Sequence, residues 1–600
     1  MGSRVLVLVC ACLSIGFASH SDSARAVENP SRRLAGAINK WEAFERREFV
    51  EEASLRGHHE ADDRLTDISD AAVLARRHFV KTLLAELQTF ERKGLSEQEQ
   101  VTLEVISREL TQLVQMATIY GTLPFGPFGS DSWLPLSSLG GLHTTLVVLV
   151  QASRFDGPQD YRNYLSRLEN VPNHIRNMIA RMRIAIKSGW IGAAAPMERV
   201  PVQLATFSDE TIVSGPLMSP FSGSMRGVDD RQGDEMAARA RHVLGKTVAP
   251  AFAELRRFMQ EEYLPAARAA PISASRLPGG NAYYNTLANR YTTTSESPER
   301  IHAIGLGEVA RISSEIRRTL DSVGFQGGLS EFIAAKRADP AQRFVSSEAM
   351  LAGYRDIAKR ADAELPKLFA ELPRMPYGIR AMQPFELDNA EYYVQGSADG
   401  TRPGYFMANV NRLDRRGRFE MESLLMHETV PGHHLQTARA MEINAIPEFR
   451  RHLWVTAYGE GWALYAESLG QQMGFYQTPE AKIGYLSSEI MRASRLVVDT
   501  GLHRFDWKRQ QAIDYLVQNA GIDPGFASAE VDRYISIPGQ ALAYKMGELR
   551  IKALRDKAKE RLGDKFDQRR FHNAVLDDGP LPLDVLEQRI DLWIQRERTR

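Results

Sequence analysis

Residues 419–442 read FEMESLLMHETVPGHHLQTARAME. The lead-in from Met421 to Met426 is apolar and helix-compatible, so the stretch predicts a helix. Its middle, His427-Glu428-Thr429-Val430-Pro431-Gly432-His433-His434, holds three of the chain's 14 histidines beside a glutamate. Neutral imidazoles are the commonest zinc ligands, and a carboxylate next to the first ligand suits a general base. The familiar H-E-x-x-H spacing places two histidines four apart on one helical face. Here the residue four after His427 is Pro431.

Pro431 lacks an N–H for the carbonyl of residue 427, and its ring clashes with that carbonyl. Gly432 beside it is conformationally free. A bulge or kink just after Glu428 is therefore expected. A bulge absorbing two residues brings His433 to the missing position, and one absorbing three brings His434. In an unbroken helix His434 would stand about 10 Å up the axis from His427, a long reach for one shared ion. The smaller distortion favours His433 as second ligand, with His434 outside the first shell or facing substrate.

A third ligand is expected on a following helix. Tyr458-Gly459-Glu460-Gly461-Trp462-Ala463-Leu464-Tyr465-Ala466-Glu467 offers Glu460 between two glycines that permit close backbone approach. Glu467 lies two turns further along the same face and suits a carboxylate that orients a ligating histidine. Two histidines and one glutamate leave open the fourth position of a catalytic zinc site. Downstream, Arg533-Tyr534 and Pro538 to Lys545 form an irregular element leading into a helix, and the phenol of Tyr544 suits oxyanion stabilisation. Arg495, Asp499 and His503 recur every four residues on one helical face, as a buried network supporting the site or as a structural salt bridge.

The rest of the 600-residue chain reads mainly α. Leu74, Leu83, Leu84, Leu87 and Phe90 follow a helical stripe, as do Ile301, Ile304, Val309, Ile312, Ile316 and Leu320 behind the cap Ser297-Pro298. Helices are also expected at 347–371, 451–472, 479–505 and 539–561. Strands are expected at Val200 to Thr206, Glu391 to Gln395 and Gly404 to Val410. The stretch GTLPFGPFGSDSWLPLSSLGG at 121–141 is irregular but apolar enough to pack down and line a cleft.

Seventy-five basic residues balance 75 acidic ones, so no global field favours nucleic acid or anionic lipid. At the N-terminus, Arg4, the apolar run Val5 to Ala18 and Ala24-Arg25-Ala26 describe a secretory signal peptide over residues 1–26. The run is too short to span a bilayer, so stable membrane insertion is not expected. Both cysteines, Cys10 and Cys12, fall inside it, and the exported remainder, a single domain over 27–600, needs neither disulfides nor a reducing compartment. Nothing in the sequence fixes an oligomeric state.

The windows HETVPGHHLQ (427–436), YGEGWALYAE (458–467), RLVVDTGLH (495–503) and RYISIPGQALAYKMG (533–547) resemble the "domain of unknown function 885" family, over about residues 40–595. The resemblance implies a large α-helical, bilobed, zincin-like fold with a deep cleft and a small β element next to the metal helix. It is akin to the angiotensin-converting and neurolysin-type peptidases. It also implies His427 as first ligand, Glu428 as base and Glu460 as third ligand. By the same likeness the strand holding Tyr405 and Asn409 is an edge that pairs with substrate backbone. The expectation is an exported zinc peptidase acting on peptides or related amides. Metal ligands would be His427, His433 and Glu460, with Glu428 and Tyr544 catalytic. Supporting or substrate-facing roles fall to His434, Glu467, Tyr405, Asn409, Arg533, Tyr534 and His503. The alternatives are a hydrolase of other amides or esters, and a binding protein on a degenerate fold.

Overall fold

The helix Thr456–Leu469 is buried along almost its whole length, Trp462 and Tyr465 completely. A helix apolar all round belongs inside a protein, so the others arrange themselves about it. The structure, a computed structural model, describes residues 29–600 except 121–133, 383–389, 398–399, 401 and 414–415. The signal-peptide segment with its two cysteines lies outside the described residues, as does most of the 121–141 stretch. Among the described residues no helix is long and apolar enough to cross a membrane.

The fold is mainly α. Helices Pro298–Ser322 and Pro479–His503 begin as their sequences specify: Ser297 and Thr478 accept from the backbone N–H three residues on, and a proline follows each cap. They pack through Ile312, Ile316, Ile483, Leu486 and Ile490. They cross at Gly305, where a Cβ would stand 2.7 Å from that of Leu496. A principal core joins residues 34–117 to residues 344–594, and a second lies wholly within residues 65–267.

Two expectations about strands need correction, and one strand is added. Val200 to Thr206 is not a strand, because Val200–Ala205 is a short helix. The apparent alternation Val200, Val202, Leu204 shares its first and last members with a helical face, and Val202 is 74% exposed. Pro201 also suits a first helical turn. A strand not expected from the sequence, β1 (Tyr377–Ala381), joins β2 (Tyr392–Val394) and β3 (Gly404–Ala408) in the order β1-β3-β2. β3 is thus central, parallel to β1 and antiparallel to β2, with Phe406 opposite both Ile379 and Tyr393. Its backbone groups are already paired, so it is not the edge that a substrate strand requires. Among the described residues β1 and β2 are the outer strands.

The expected helix at 419–442 is two helices, Met421–Glu428 and His433–Glu442, and that at 451–472 starts only at Thr456. Helix Ala543–Leu562 crosses Thr456–Leu469 with Gly461 against Gly547. A Cβ at Gly461 would run into the Gly547 backbone, and one at Gly547 into the Ala457 carbonyl. Gly547→Ala is therefore expected to lower unfolding stability by about 1–3 kcal/mol or more, the usual cost of overpacking. Gly307→Ala, exposed in the middle of Pro298–Ser322 with nothing within 4 Å, should be neutral or stabilising by about 0.5–1 kcal/mol. Urea unfolding of both variants checks the pair.

Candidate functional site

Between Glu428 and His433 the chain leaves the helix altogether. Thr429 has φ −116° and ψ −108°, the Val430–Pro431 peptide is cis, and His433 opens the next helix. Gly432 is packed so closely that a Cβ would collide with the carbonyls of Met426 and His427, a fit open only to glycine. The groups freed by the break find partners. Thr429 O accepts from His434 N (3.0 Å), and Pro431 O accepts from the indole of Trp462 (2.8 Å).

This path brings His427, His433 and Glu460 together, with one ligand-type atom from each within 4.8 Å of the others. Glu460 Oε2 lies 3.5 Å from His427 Nε2 and 3.4 Å from His433 Nε2. These separations are long for hydrogen bonds, and Glu460 Oε2 is buried without one among the described residues. They equal the edges of a tetrahedron about 3.4 Å on a side, as formed by nitrogen and oxygen ligands at zinc distances. The residues fit a divalent zinc-type ion.

Glu467 orients the first histidine. It is fully buried and accepts from His427 Nδ1 (2.8 Å), Ser488 Oγ (2.7 Å) and Ser423 Oγ. With Nδ1 donating, the Nε2 lone pair faces Glu460 and His433, the tautomer that a metal ligand needs. His433 Nδ1, by contrast, is buried with no partner among the described residues. Burial lowers the His427 pKa, but the carboxylates of Glu460 and Glu467 more than reverse the effect. Burial raises the pKa of Glu460, yet His433 and His427 hold it well below the usual carboxylate range. Glu428, 6% exposed, is pushed up to about 8 by burial, with Glu460 adding and His433 opposing.

The three groups and Glu428 line a cavity of about 570 Å³, together with Tyr544, Asn409, Arg492, Arg495 and Tyr393 of β2. The Tyr544 ring lies 6.4 Å from that of His427, nearly parallel at 13°. Burial and the charge of Glu460 raise its phenol above the ordinary value, against Arg495 and Arg533, so it stays protonated. Trp454 sits 5.8 Å from the His433 ring and also lines a second cavity, of about 510 Å³, walled by Leu134, Leu139 and Gly140.

Other expected residues stand elsewhere. His434 points away from the triad: its Nε2 donates to the Met375 carbonyl (3.0 Å) and its Nδ1 accepts from the Tyr393 hydroxyl (2.9 Å). Burial lowers it to about 4, so it is a neutral pin between helix and sheet. Tyr405 lies in a separate depression, its ring under Arg380 at 3.6 Å. His503 bonds two backbone groups, Ala274 N and Tyr534 O (both 3.0 Å). Arg533 and Tyr534 bond Glu530 behind the cavity wall. In the Arg495 stripe, Asp499 holds Tyr284 and the Gly539 N–H, so its members serve different partners. Arg492, Trp454 and Tyr393 were not expected. Arg492 precedes Arg495 by three residues, the other helical neighbour spacing, so a search at i−3 as well as i−4 from Arg495 would have found it.

The family model described as "bacterial protein of unknown function (DUF885)" matches residues 51–590. The chain belongs to this family. Among solved structures, this DUF885 chain is similar to the "putative lipoprotein" of Colwellia psychrerythraea, at 25% identity and TM-score 0.88, covering 94% of this chain and 100% of that one. It also resembles, in fold, a "putative lipoprotein of unknown function" from Shewanella oneidensis. There the identity is 19% and the TM-score 0.69, with 92% of this chain and 99% of that one covered. No curated protein matches the chain. In this DUF885 chain, His434→Ala should cost about 2–4 kcal/mol of stability, through two lost hydrogen bonds and a cavity. His433→Ala should cost the chelator-treated protein less, because His433 Nδ1 has no partner to lose. Denaturant titration of both variants after chelation checks the order.

Proposed function

We propose that the protein is a metal-dependent hydrolase of peptide bonds, with His427, His433 and Glu460 as the ligands of one zinc ion. The observation that carries this reading is the buried Glu460 oxygen, without a hydrogen bond among the described residues yet faced by two imidazole nitrogens. A glutamate adjacent to the first ligand lines the same cavity. When bound, zinc supplies Lewis-acid polarisation of the carbonyl under attack and makes the attacking water more acidic.

The chain's own residues do the rest. Glu428 takes a proton from the attacking water as its oxygen bonds to the carbonyl carbon. It then gives that proton to the amine nitrogen as the C–N bond breaks, so one water is consumed and the carboxyl returns to its starting state. The Tyr544 phenol donates to the carbonyl oxygen as charge builds on it. β2, an outer strand of the sheet among the described residues, lines the cavity through Tyr392 and Tyr393 and replaces β3 as the strand offered to substrate backbone. Export is part of the same reading. It is supported by the N-terminal segment around Arg4 and Val5 to Ala18, and by the description of both solved relatives as putative lipoproteins.

The purified protein is expected to hold about one zinc per chain by elemental analysis. His427→Ala and His433→Ala should each lose most of it in competition with a chelator, while His434→Ala retains it. Full retention by His433→Ala overturns the ligand assignment. Glu428→Gln should keep the metal and lose roughly two to four orders of magnitude in amide hydrolysis. Normal turnover in that variant removes Glu428 from the chemistry.

A further inference from the structure

Arg492 and Arg495 stand one turn apart on the helix Pro479–His503, and both line the cavity that holds Glu428 and Glu460. Among the described residues neither guanidinium is fully bonded. Arg495, 6% exposed, donates from Nε to Tyr534 (3.2 Å) and from Nη2 to Glu530 (2.9 Å), while its buried Nη1 meets no acceptor among them. Arg492 donates from Nη1 to Ser488 Oγ (2.6 Å), and its buried Nε has no acceptor among the described residues. The nearest carboxylate to Arg492 Nη2 is Glu467 at 3.9 Å, already shared by His427, Ser423 and Ser488. The three other arginines of the cavity wall are differently placed: Arg337 is bonded to Glu420, Arg416 to Glu391, and Arg412 also has a partner.

Buried charged donors without acceptors are rare in native proteins and call for a ligand or water to complete them. The group that suits two neighbouring guanidiniums is planar, anionic and able to accept twice, which describes a carboxylate. Glu530 and Glu460 nearby favour a monoanion over a phosphate dianion. We propose that Arg492 and Arg495 receive the free C-terminal carboxylate of a short peptide, so that the enzyme removes residues from the C-terminal end. This rests on the peptidase reading above.

The spacing agrees with the assignment. The Arg495 guanidinium carbon sits 4.3 Å over the Tyr544 ring, which in turn lies 6.4 Å from the first-ligand ring of His427. An extended chain advances about 3.5 Å per residue, so a carboxylate held there leaves the bond to be cut one to three residues upstream. The expected products are single amino acids to tripeptides.

Three probes test this in the zinc-loaded protein: N-acetylated pentaalanine with a free carboxylate, the same peptide as its C-terminal amide, and the amide ending in glutamate. Mass spectrometry should show the free acid cleaved within its last three residues, with kcat/KM about a hundredfold above the alanine amide. Arg492→Gln should raise KM for the acid about tenfold or more and abolish its advantage over the amide, and Arg492→Lys should restore part of it. Arg495→Gln should act likewise; it strips a partner from Glu530, and Arg492→Gln removes a charge beside Glu467, so the ratio of acid to amide cleavage within each variant carries the test. Equal cleavage of acid and amide overturns the proposal. Cleavage of the glutamate amide at the acid's rate overturns its C-terminal form and assigns a side-chain carboxylate. If no probe is cleaved, the peptidase reading fails, and calorimetric titration of the three into Glu428→Gln protein judges the site alone. Binding of the acid that Arg492→Gln abolishes sustains it, and no binding overturns it.

Discussion

The hydrogen bond from the Trp462 indole to the Pro431 carbonyl (2.8 Å) ties the break in one helix to the middle of another. Almost everything at the site depends on that junction. Trp462 is two residues beyond Glu460, so the bond that seals the break also sets the height of Glu460 against His427 and His433. One turn and a half further on, Glu467 holds His427 from the other side. The helix Thr456–Leu469 thus touches the histidine segment at three levels: break, triad and supporting carboxylate. Such a helix must be buried, and the glycine contact with Ala543–Leu562 lets the backbones close over it.

Burial explains the electrostatics. Glu460, Glu467 and Glu428 all lie in a poorly solvated interior, yet their pKa values diverge. Glu460 and Glu467 stay ionised because imidazoles, and for Glu467 the Arg492 charge, outweigh desolvation. Glu428 accepts no hydrogen bond among the described residues, and burial dominates it. A carboxyl that titrates near neutrality beside two that are firmly ionised is the division of labour that the proposed function asks of Glu428 as proton carrier, Glu460 as ligand and Glu467 as the support of His427.

Much of this was legible in the sequence, for reasons that differ by residue. His427, Glu428 and Glu460 announce themselves by residue type and spacing, and Pro431-Gly432 announces a break by backbone chemistry alone. The fold class follows from helical stripes and caps such as Ser297-Pro298. What stayed hidden depends on long-range pairing. β1 has no distinctive alternation, so β3 read as an edge although it lies between two partners. Val200 to Ala205 satisfied two periodicities at once, and only the exposure of Val202 separates them. The position of His434 required knowing that Met375 and Tyr393 come to meet it, contacts spanning 59 and 41 residues.

The break also decides which histidine faces inward. A helix continuing through Pro431 would have stacked His427 and His434 on one side, with His433 turned about 100° away from His434. Leaving the helix for four residues and re-entering at His433 resets the phase. His433 then points at Glu460, and His434 is rotated outward against the sheet, where its two nitrogens find a carbonyl and a phenol. The neighbouring imidazoles therefore receive opposite duties from a single backbone event. Were Gly432 larger, the carbonyls of Met426 and His427 would have to move apart, and with them the turn that carries the His427 imidazole. The Pro-Gly pair is thus the element that brings His427 and His433 to one face despite their six-residue spacing.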